Sequence, residues 1–277
     1  MLSVGLAFST RQILDPFRNR RGVFRTIVIN FAIVPLIAFA IARALILDRA
    51  LAEGLFLIGA AAGAPFLVNL TQLARGDVAF SATVLVLLVI VTIFYMPLVV
   101  PLAMPDAMVN AVEIGLSLTL TMLVPLALGH LIKAYLSSLA TRLQPIMGMI
   151  ARVSLVVLIA ATFYLHLPAI FRIGTPAIVA AALLTGGAFV CGQFLINRRS
   201  QRRGVLGLGT AQRNIAAATV VAQTFADSDV LVMVVVTSLV GLAILFPIAW
   251  VLRKRSLRDE SQERQDQETS EKIPRIA

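Results

Sequence analysis

Two stretches decide the fold: Leu51–Asp77, LAEGLFLIGAAAGAPFLVNLTQLARGD, and Gly204–Asp229, GVLGLGTAQRNIAAATVVAQTFADSD. Each begins as an apolar run of membrane length and then fails in its middle. In the first, Gly59–Pro65 is glycine and alanine ending in proline, and Asn69, Thr71 and Gln72 follow. In the second, a glycine-rich half leads into Thr210–Ala211–Gln212–Arg213–Asn214, and an alanine-rich half follows. Small residues pack closely, and proline has no N–H to continue a helix. A helix broken in a membrane exposes backbone N–H and C=O groups and two opposed dipole ends, which can hold an anion or a cation. Pro65 and Arg213 stand 148 positions apart, and Phe24 and Pro176, where the preceding apolar runs begin, stand 152 apart. Interrupted spans at matched places in two halves point to an inverted-repeat transporter with its site where the breaks meet. A single Gly/Ala span reads better as a close-packed helix; two at repeat-related positions favour a transport site.

The rest of the composition agrees with a membrane setting. The chain has 277 residues, 59% hydrophobic and 14% charged, with a mean hydropathy of +0.92. Soluble domains average about 25% charged residues. An ordinary cytosolic enzyme, a disordered chain and a disulfide scaffold are excluded, which leaves an all-α polytopic membrane protein. Eight apolar segments are expected to span: Phe24–Leu45, Leu51–Ala74, Val78–Met104, Ala107–Ile132, Pro145–Leu165, Pro176–Ile196, Gly204–Ala226 and Val230–Leu252. The expected organisation is a membrane domain over 1–257, with a partial N-terminal repeat over 1–104 and a C-terminal repeat over 107–252. Residues 258–277, rich in mixed charge, Gln and Ser, read as a flexible tail. Met1–Phe8 is too short to span and lacks the basic start and cleavage motif of a signal peptide. The lone Cys191 lies in an apolar run and reads as a packing residue.

A net charge of +10 raises the question of nucleic acid, and the placement of the charges answers it. Arg11, Arg18, Arg20, Arg21 and Arg25 precede the first span. Arg75, then Lys133 and Arg142, then Arg198, Arg199, Arg202 and Arg203, then Arg253, Lys254, Arg255 and Arg258 follow alternate spans. The intervening loops hold only Arg43, Arg49 and Arg172, with Asp48, Asp106, Asp227 and Asp229. By the positive-inside rule the basic loops and both termini are expected on the cytoplasmic side, so the charge reads as topology and no nucleic-acid partner is expected. The expected location is the plasma (inner) membrane.

Arg213 breaks this pattern. It lies about nine residues into its span, roughly 14 Å at 1.5 Å per residue, near the middle of a ~30 Å hydrocarbon core. A guanidinium there must be paired, solvated or face a cavity, or it must snorkel outwards. No carboxylate in the sequence is placed to neutralise it, so it reads as a fixed positive charge facing an anionic substrate. Arg75–Gly76–Asp77 reads as a tight turn. No HExxH, GxSxG, phosphate-binding glycine loop or intramembrane carboxylate pair is present, so an enzyme is not expected.

At these residues the chain resembles the bile acid:sodium symporter family. The matching strings are GLAF at Gly5–Phe8, NFAIVP at Asn30–Pro35, NLTQLARGDVAFS at Asn69–Ser81 and GTAQRNIAAA at Gly209–Ala218. The resemblance implies a ten-helix fold of two inverted five-helix repeats, in which a core with two crossed, broken helices moves against a panel. It implies carriage of organic anions, commonly with sodium bound at the crossing. GLAF resembles the end of the family's second helix, so the first helix and most of the second are missing from this sequence. The sodium ligands are also poorly kept. The family's Ser-Asn pair aligns with Leu67 and Val68, its threonine with Leu85, its acidic residue with Gly209 and its glutamine with Arg213. Asn30 stands at a further glutamine position, and Ser81 is retained.

The expectation is therefore a secondary active transporter of a small organic anion in a lipid bilayer, with no cofactor. Sodium is the one ion the family would bring, and its coupling is doubtful here because Arg213 takes the cation's electrostatic role. Its substrate or ion site is expected at Asn30, Pro65, Asn69, Ser81, Gln212, Arg213 and Asn214. Pro65 shapes the break, the amides and the hydroxyl orient the substrate, and Arg213 supplies charge. The alternative is a truncated or non-transporting homologue acting as a membrane binding or accessory protein.

Overall fold

The computed structural model describes residues 1–7, 20–107, 109–194 and 202–272. Phe8, Arg11, Arg18, Ile196, Arg198, Arg199 and residues 273–277 lie outside them. The described residues are predominantly helical, and no strand occurs among them. In chain order the elements are α1 (Leu2–Ala7), α2 (Arg20–Ala44), α3 (Arg49–Ala60), α4 (Leu67–Leu73), α5 (Val78–Ala103), α6 (Ala111–Tyr135), α7 (137–173), α8 (Gly174–Gln193), α9 (Arg202–Ala211), α10 (Ile215–Ala222) and α11 (Ser228–Lys272). Helices α7 and α8 join at Gly174, where φ is 73° and ψ is −172°.

Five helices are long and apolar enough to cross a membrane among the described residues: α2, α5, α6, α8 and the Ser228–Arg258 part of α11. That is fewer than the eight expected segments. Leu51–Ala74 and Gly204–Ala226 are each split into two short helices, α3 with α4 and α9 with α10, and neither half spans alone. Pro145–Leu165 lies inside α7. The segment expected as a flexible tail is helical as far as Lys272, continuing α11 without a break.

Side-chain placement is inside-out relative to a water-soluble protein. Phe24, Leu36, Phe39, Phe94, Leu98 and Leu102 point outwards. Asn30, Thr71, Ser81, Thr92, Thr210, Arg213 and Asn214 are buried. This suits a hydrocarbon surround, where apolar surface costs nothing and polar groups must find partners inside. Helix α5 forms the centre. It carries no charged residue, and Ser81–Val89 is buried on every side. Asp77 starts it as N-cap, accepting from Phe80 N at 2.9 Å. Arg75–Gly76–Asp77 is the expected turn: Arg75 is left-handed (φ 54°) and Gly76 N–H returns to Thr71 O at 2.9 Å.

Helices α2 and α6 share a device. Each contains a five-residue π-helical turn, Ile29–Ile33 and Thr119–Leu123, followed at once by Val-Pro. In α2 the Val34 N–H reaches back five residues to Ile29 O, and Pro35 has no N–H. The Asn30 carbonyl therefore has no donor four or five residues on. That freed oxygen becomes part of the site.

The first break depends on Gly63. Its φ is +81°, and a Cβ built there would lie 2.6 Å from Val89 N on α5. Both the left-handed backbone and the close backbone approach require glycine. Gly63→Ala is expected to destabilise the protein by about 2–4 kcal/mol, through strain plus overpacking against backbone. The check is the melting temperature in detergent, with Ala62→Gly, which adds no atoms, as control for a general loss of order at the break.

Candidate functional site at the helix crossing

The chain between α3 and α4 crosses the chain between α9 and α10. Asn214 ties them in two ways: its N–H donates to Ala61 O at 2.8 Å, and its side-chain Nδ2 donates to Gly63 O at 2.8 Å. Its Oδ1 accepts from Ala217 N at 3.1 Å, capping α10. Thr92 of α5 braces the first break from behind. Its hydroxyl accepts from Ala62 N at 3.2 Å and donates to Ala62 O at 2.9 Å. One side chain thus satisfies both backbone groups of a peptide that has left the helix.

Arg213 fills the centre. Its Nε donates to Ile58 O at 3.3 Å; one terminal nitrogen donates to Asn30 Oδ1 at 2.9 Å and Thr210 O at 3.1 Å. The other donates to Asn30 O at 3.1 Å and to Gly59 O. All five guanidinium N–H groups are used. The acceptors have a common character. Ile58 and Gly59 are the last residues but one or two of α3, and Thr210 the last but one of α9. Such carbonyls lack helical partners and carry the negative end of the helix dipole. Asn30 O is the carbonyl released by the π-turn and Pro35. Asn30 is itself held by Nδ2 donating to Thr26 O at 3.0 Å and Thr210 Oγ1 at 3.4 Å.

The structure places Arg213 away from the cavity expected to hold a ligand. It is buried and does not line the cavity described next. Ser81 also stays apart. It is buried, and its hydroxyl donates to Val78 O within its own helix at 2.8 Å. The expected residues divide into two groups. Asn30, Arg213 and Asn214 form the crossing cluster, while Pro65, Asn69, Gln212 and again Asn214 line a cavity of about 600 Å³ beside it. The other side of that cavity is walled by α1, the end of α6, α7 and α11. Among its lining residues Lys133 and Arg152 are cationic and none is acidic.

Sequence reasoning overlooked Thr92, Lys133 and Arg152. Thr92 carries no motif; only its place opposite Ala62 gives it work. Lys133 and Arg152 were visible, the former as a loop charge, but nothing linear brings them to the break.

A family model described as "Sodium Bile acid symporter family" matches residues 1–173. The chain belongs to this family. Among curated proteins it is similar to "Probable sodium/metabolite cotransporter BASS1, chloroplastic" of Arabidopsis thaliana, 24% identical over 212 residues, covering 76% of this chain and 51% of that protein. It is also similar to the Arabidopsis "Probable sodium/metabolite cotransporter BASS3, chloroplastic", 27% identical over 154 residues, 55% of this chain and 36% of the relative. The rice (Oryza sativa subsp. japonica) protein of the BASS1 name is 24% identical over 196 residues, 70% of this chain and 48% of the relative. The chain spans about half or less of the length of these relatives. The family is one of membrane transporters of small molecules, and the apolar helices fit that setting.

The family name brings sodium, and the residues here do not fit it. Sodium is a hard cation and wants oxygen ligands. Leu67 and Leu85, at two positions where the resemblance implies ligands, are buried in apolar contacts. Gly209 offers no side chain, and the Asn30 Oδ1 oxygen already accepts from Arg213.

Thr92→Val keeps the shape of the brace and removes both of its hydrogen bonds, leaving two buried backbone groups unpaired. The expected loss is about 2–4 kcal/mol, read as a lower melting temperature, while Thr92→Ser recovers most of it. A Thr92→Val protein as stable as the parent would show that the brace carries no weight.

Proposed function

We propose that the chain carries small organic anions across a membrane, using the cavity beside the helix crossing as its substrate site. The observation that carries this reading is the chemistry of the cavity wall. Asn69, Gln72 and Gln212 supply amide donors from the two broken segments, Lys133 and Arg152 supply positive charge from the facing helices, and no carboxylate opposes them. A volume near 600 Å³ suits a small-molecule ligand, for which pockets run from roughly 300 to 1,000 Å³. A polar, cationic recess among apolar walls favours a carboxylate or sulfate on a compact hydrophobic body.

The transport step follows from which walls are tied together. Asn214, Arg213 and Thr92 bind α2, α3, α5, α9 and α10 through buried hydrogen bonds. The opposite wall of α1 and α7 makes no such bond to the crossing among those described. Movement of that wall against the tied group opens and closes the cavity around a substrate that stays near the breaks. The order of a long helix, a broken helix and a long helix occurs twice, in α2–α5 and α8–α11, which supports an inverted-repeat arrangement with eight crossings. Lys133 and Gln72 stand at ends beside basic loops, so the cavity opens towards the cytoplasm under the positive-inside rule. The plasma (inner) membrane remains the proposed location.

Purified protein in sealed vesicles should take up or exchange a radiolabelled carboxylate or sulfate. Replacing Lys133 and Arg152 together by Ala should raise the apparent KM at least about tenfold, equal to 1.4 kcal/mol, with little change in melting temperature. Equal uptake by parent and double variant would move the substrate site elsewhere, and no uptake of any anion by the parent would end the carrier reading.

A further inference from the structure

Five oxygens converge on one small volume at the crossing: Ile58 O, Gly59 O, Thr210 O, Asn30 O and Asn30 Oδ1. Four are main-chain carbonyls. They come from three different elements: the end of α3, the end of α9 and the π-turn of α2. Two of those ends are helix C-termini, so their dipoles add to the negative potential. No backbone N–H from these elements returns to the carbonyl of Asn30, for the reason given by Pro35. An arrangement of this kind is a cation site of oxygen ligands. Without a positive charge the carbonyls would repel one another and lie unpaired in a dry interior.

The charge present is the guanidinium of Arg213. It is buried, its five N–H groups match the five oxygens, and among the described residues no carboxylate accepts from it. The chain therefore supplies its own cation, and supplies it from the second broken segment, one residue before the Asn214 that ties the breaks.

We propose that Arg213 is a covalently tethered substitute for a dissociable cation at this crossing, so that the protein holds its crossover and binds its anion without sodium. This rests on the carrier reading only for its consequence for coupling. A soluble cation that completes a site can leave, and its departure can be linked to transport. A guanidinium on the chain cannot leave, so no sodium gradient drives the cycle through this position. It also places a constant positive charge behind the cavity, within the reach of long-range attraction in a medium of low dielectric.

The test is thermal unfolding of the purified full chain in choline chloride and in sodium chloride of equal ionic strength. The parent should melt at the same temperature in both. Arg213→Gln should melt several degrees lower in choline, because five acceptors lose their donor. Arg213→Lys, with the charge but only three donors, should fall between. If Arg213→Gln cannot be purified, the parent and the Lys variant still decide the matter. A saturable, sodium-specific rise in the parent's melting temperature would overturn the proposal, as would an Arg213→Gln protein that melts at the parent's temperature in choline. Uptake separates this inference from the carrier reading. Transport that requires sodium overturns the tethered cation and leaves a carrier. Melting that ignores sodium in a protein that moves no anion leaves the tethered cation and removes the carrier.

Discussion

Everything at the centre of this molecule depends on one problem: what neutralises carbonyl oxygens where two helices stop inside an apolar medium. Helices α3 and α9 both end near Arg213, and an α-helix end leaves its last carbonyls without partners. In water they would be solvated. In a dry interior each costs free energy of the order of 1–3 kcal/mol when unpaired. A guanidinium is the side chain best shaped to answer several at once, because its five donors lie in a plane and its charge is delocalised and weakly hydrated. Burying it is costly by itself, but five charge-assisted hydrogen bonds onto oxygens at helix C-termini offset that cost.

The surrounding structure can be read as what this contact requires. Pro35 and the π-turn release the Asn30 carbonyl towards the guanidinium. Gly63 lets the chain between α3 and α4 turn left-handed against α5. Thr92 takes both polar groups of Ala62, and Asn214 takes Ala61 O and Gly63 O. With these partners nearly every displaced backbone group at the break has a mate, so an irregular segment persists at membrane depth. The tied crossing then presents Asn69 and Gln212 at one wall of a cavity whose opposite wall includes α1 and α7.

Much of this was legible in the sequence. The Gly/Ala run ending at Pro65 and the Thr210–Asn214 centre marked both breaks, and the all-helical fold followed from composition. The family resemblance rested on strings such as NLTQLARGDVAFS, which lies within the residues that the family model matches. The inward placement of Arg213 was not legible, because four of its five acceptors are main-chain carbonyls, which a sequence does not display. An intramembrane arginine without a carboxylate suggests an external anion; the acceptors it meets in the structure lie mostly at helix ends. Ser81 stands apart from the cavity for a related reason: a hydroxyl near a helix start has a ready acceptor one turn back, here Val78 O. Thr92 had no sequence signal at all. In α11 the mixed charge and glutamine read as a flexible tail, and the same composition also suits a solvated helix laced with opposite charges, which is how the segment is folded as far as Lys272.

The account turns on Arg213 and Asn30 acting as one unit. A double-mutant cycle on melting or denaturant midpoints, using Asn30→Ala and Arg213→Met, tests this most directly. The account predicts a coupling of about 1–3 kcal/mol, so that removing Asn30 costs much in the parent and little once Arg213 is gone. Strictly additive effects would contradict it, because the guanidinium would then not be holding α2 to the crossing.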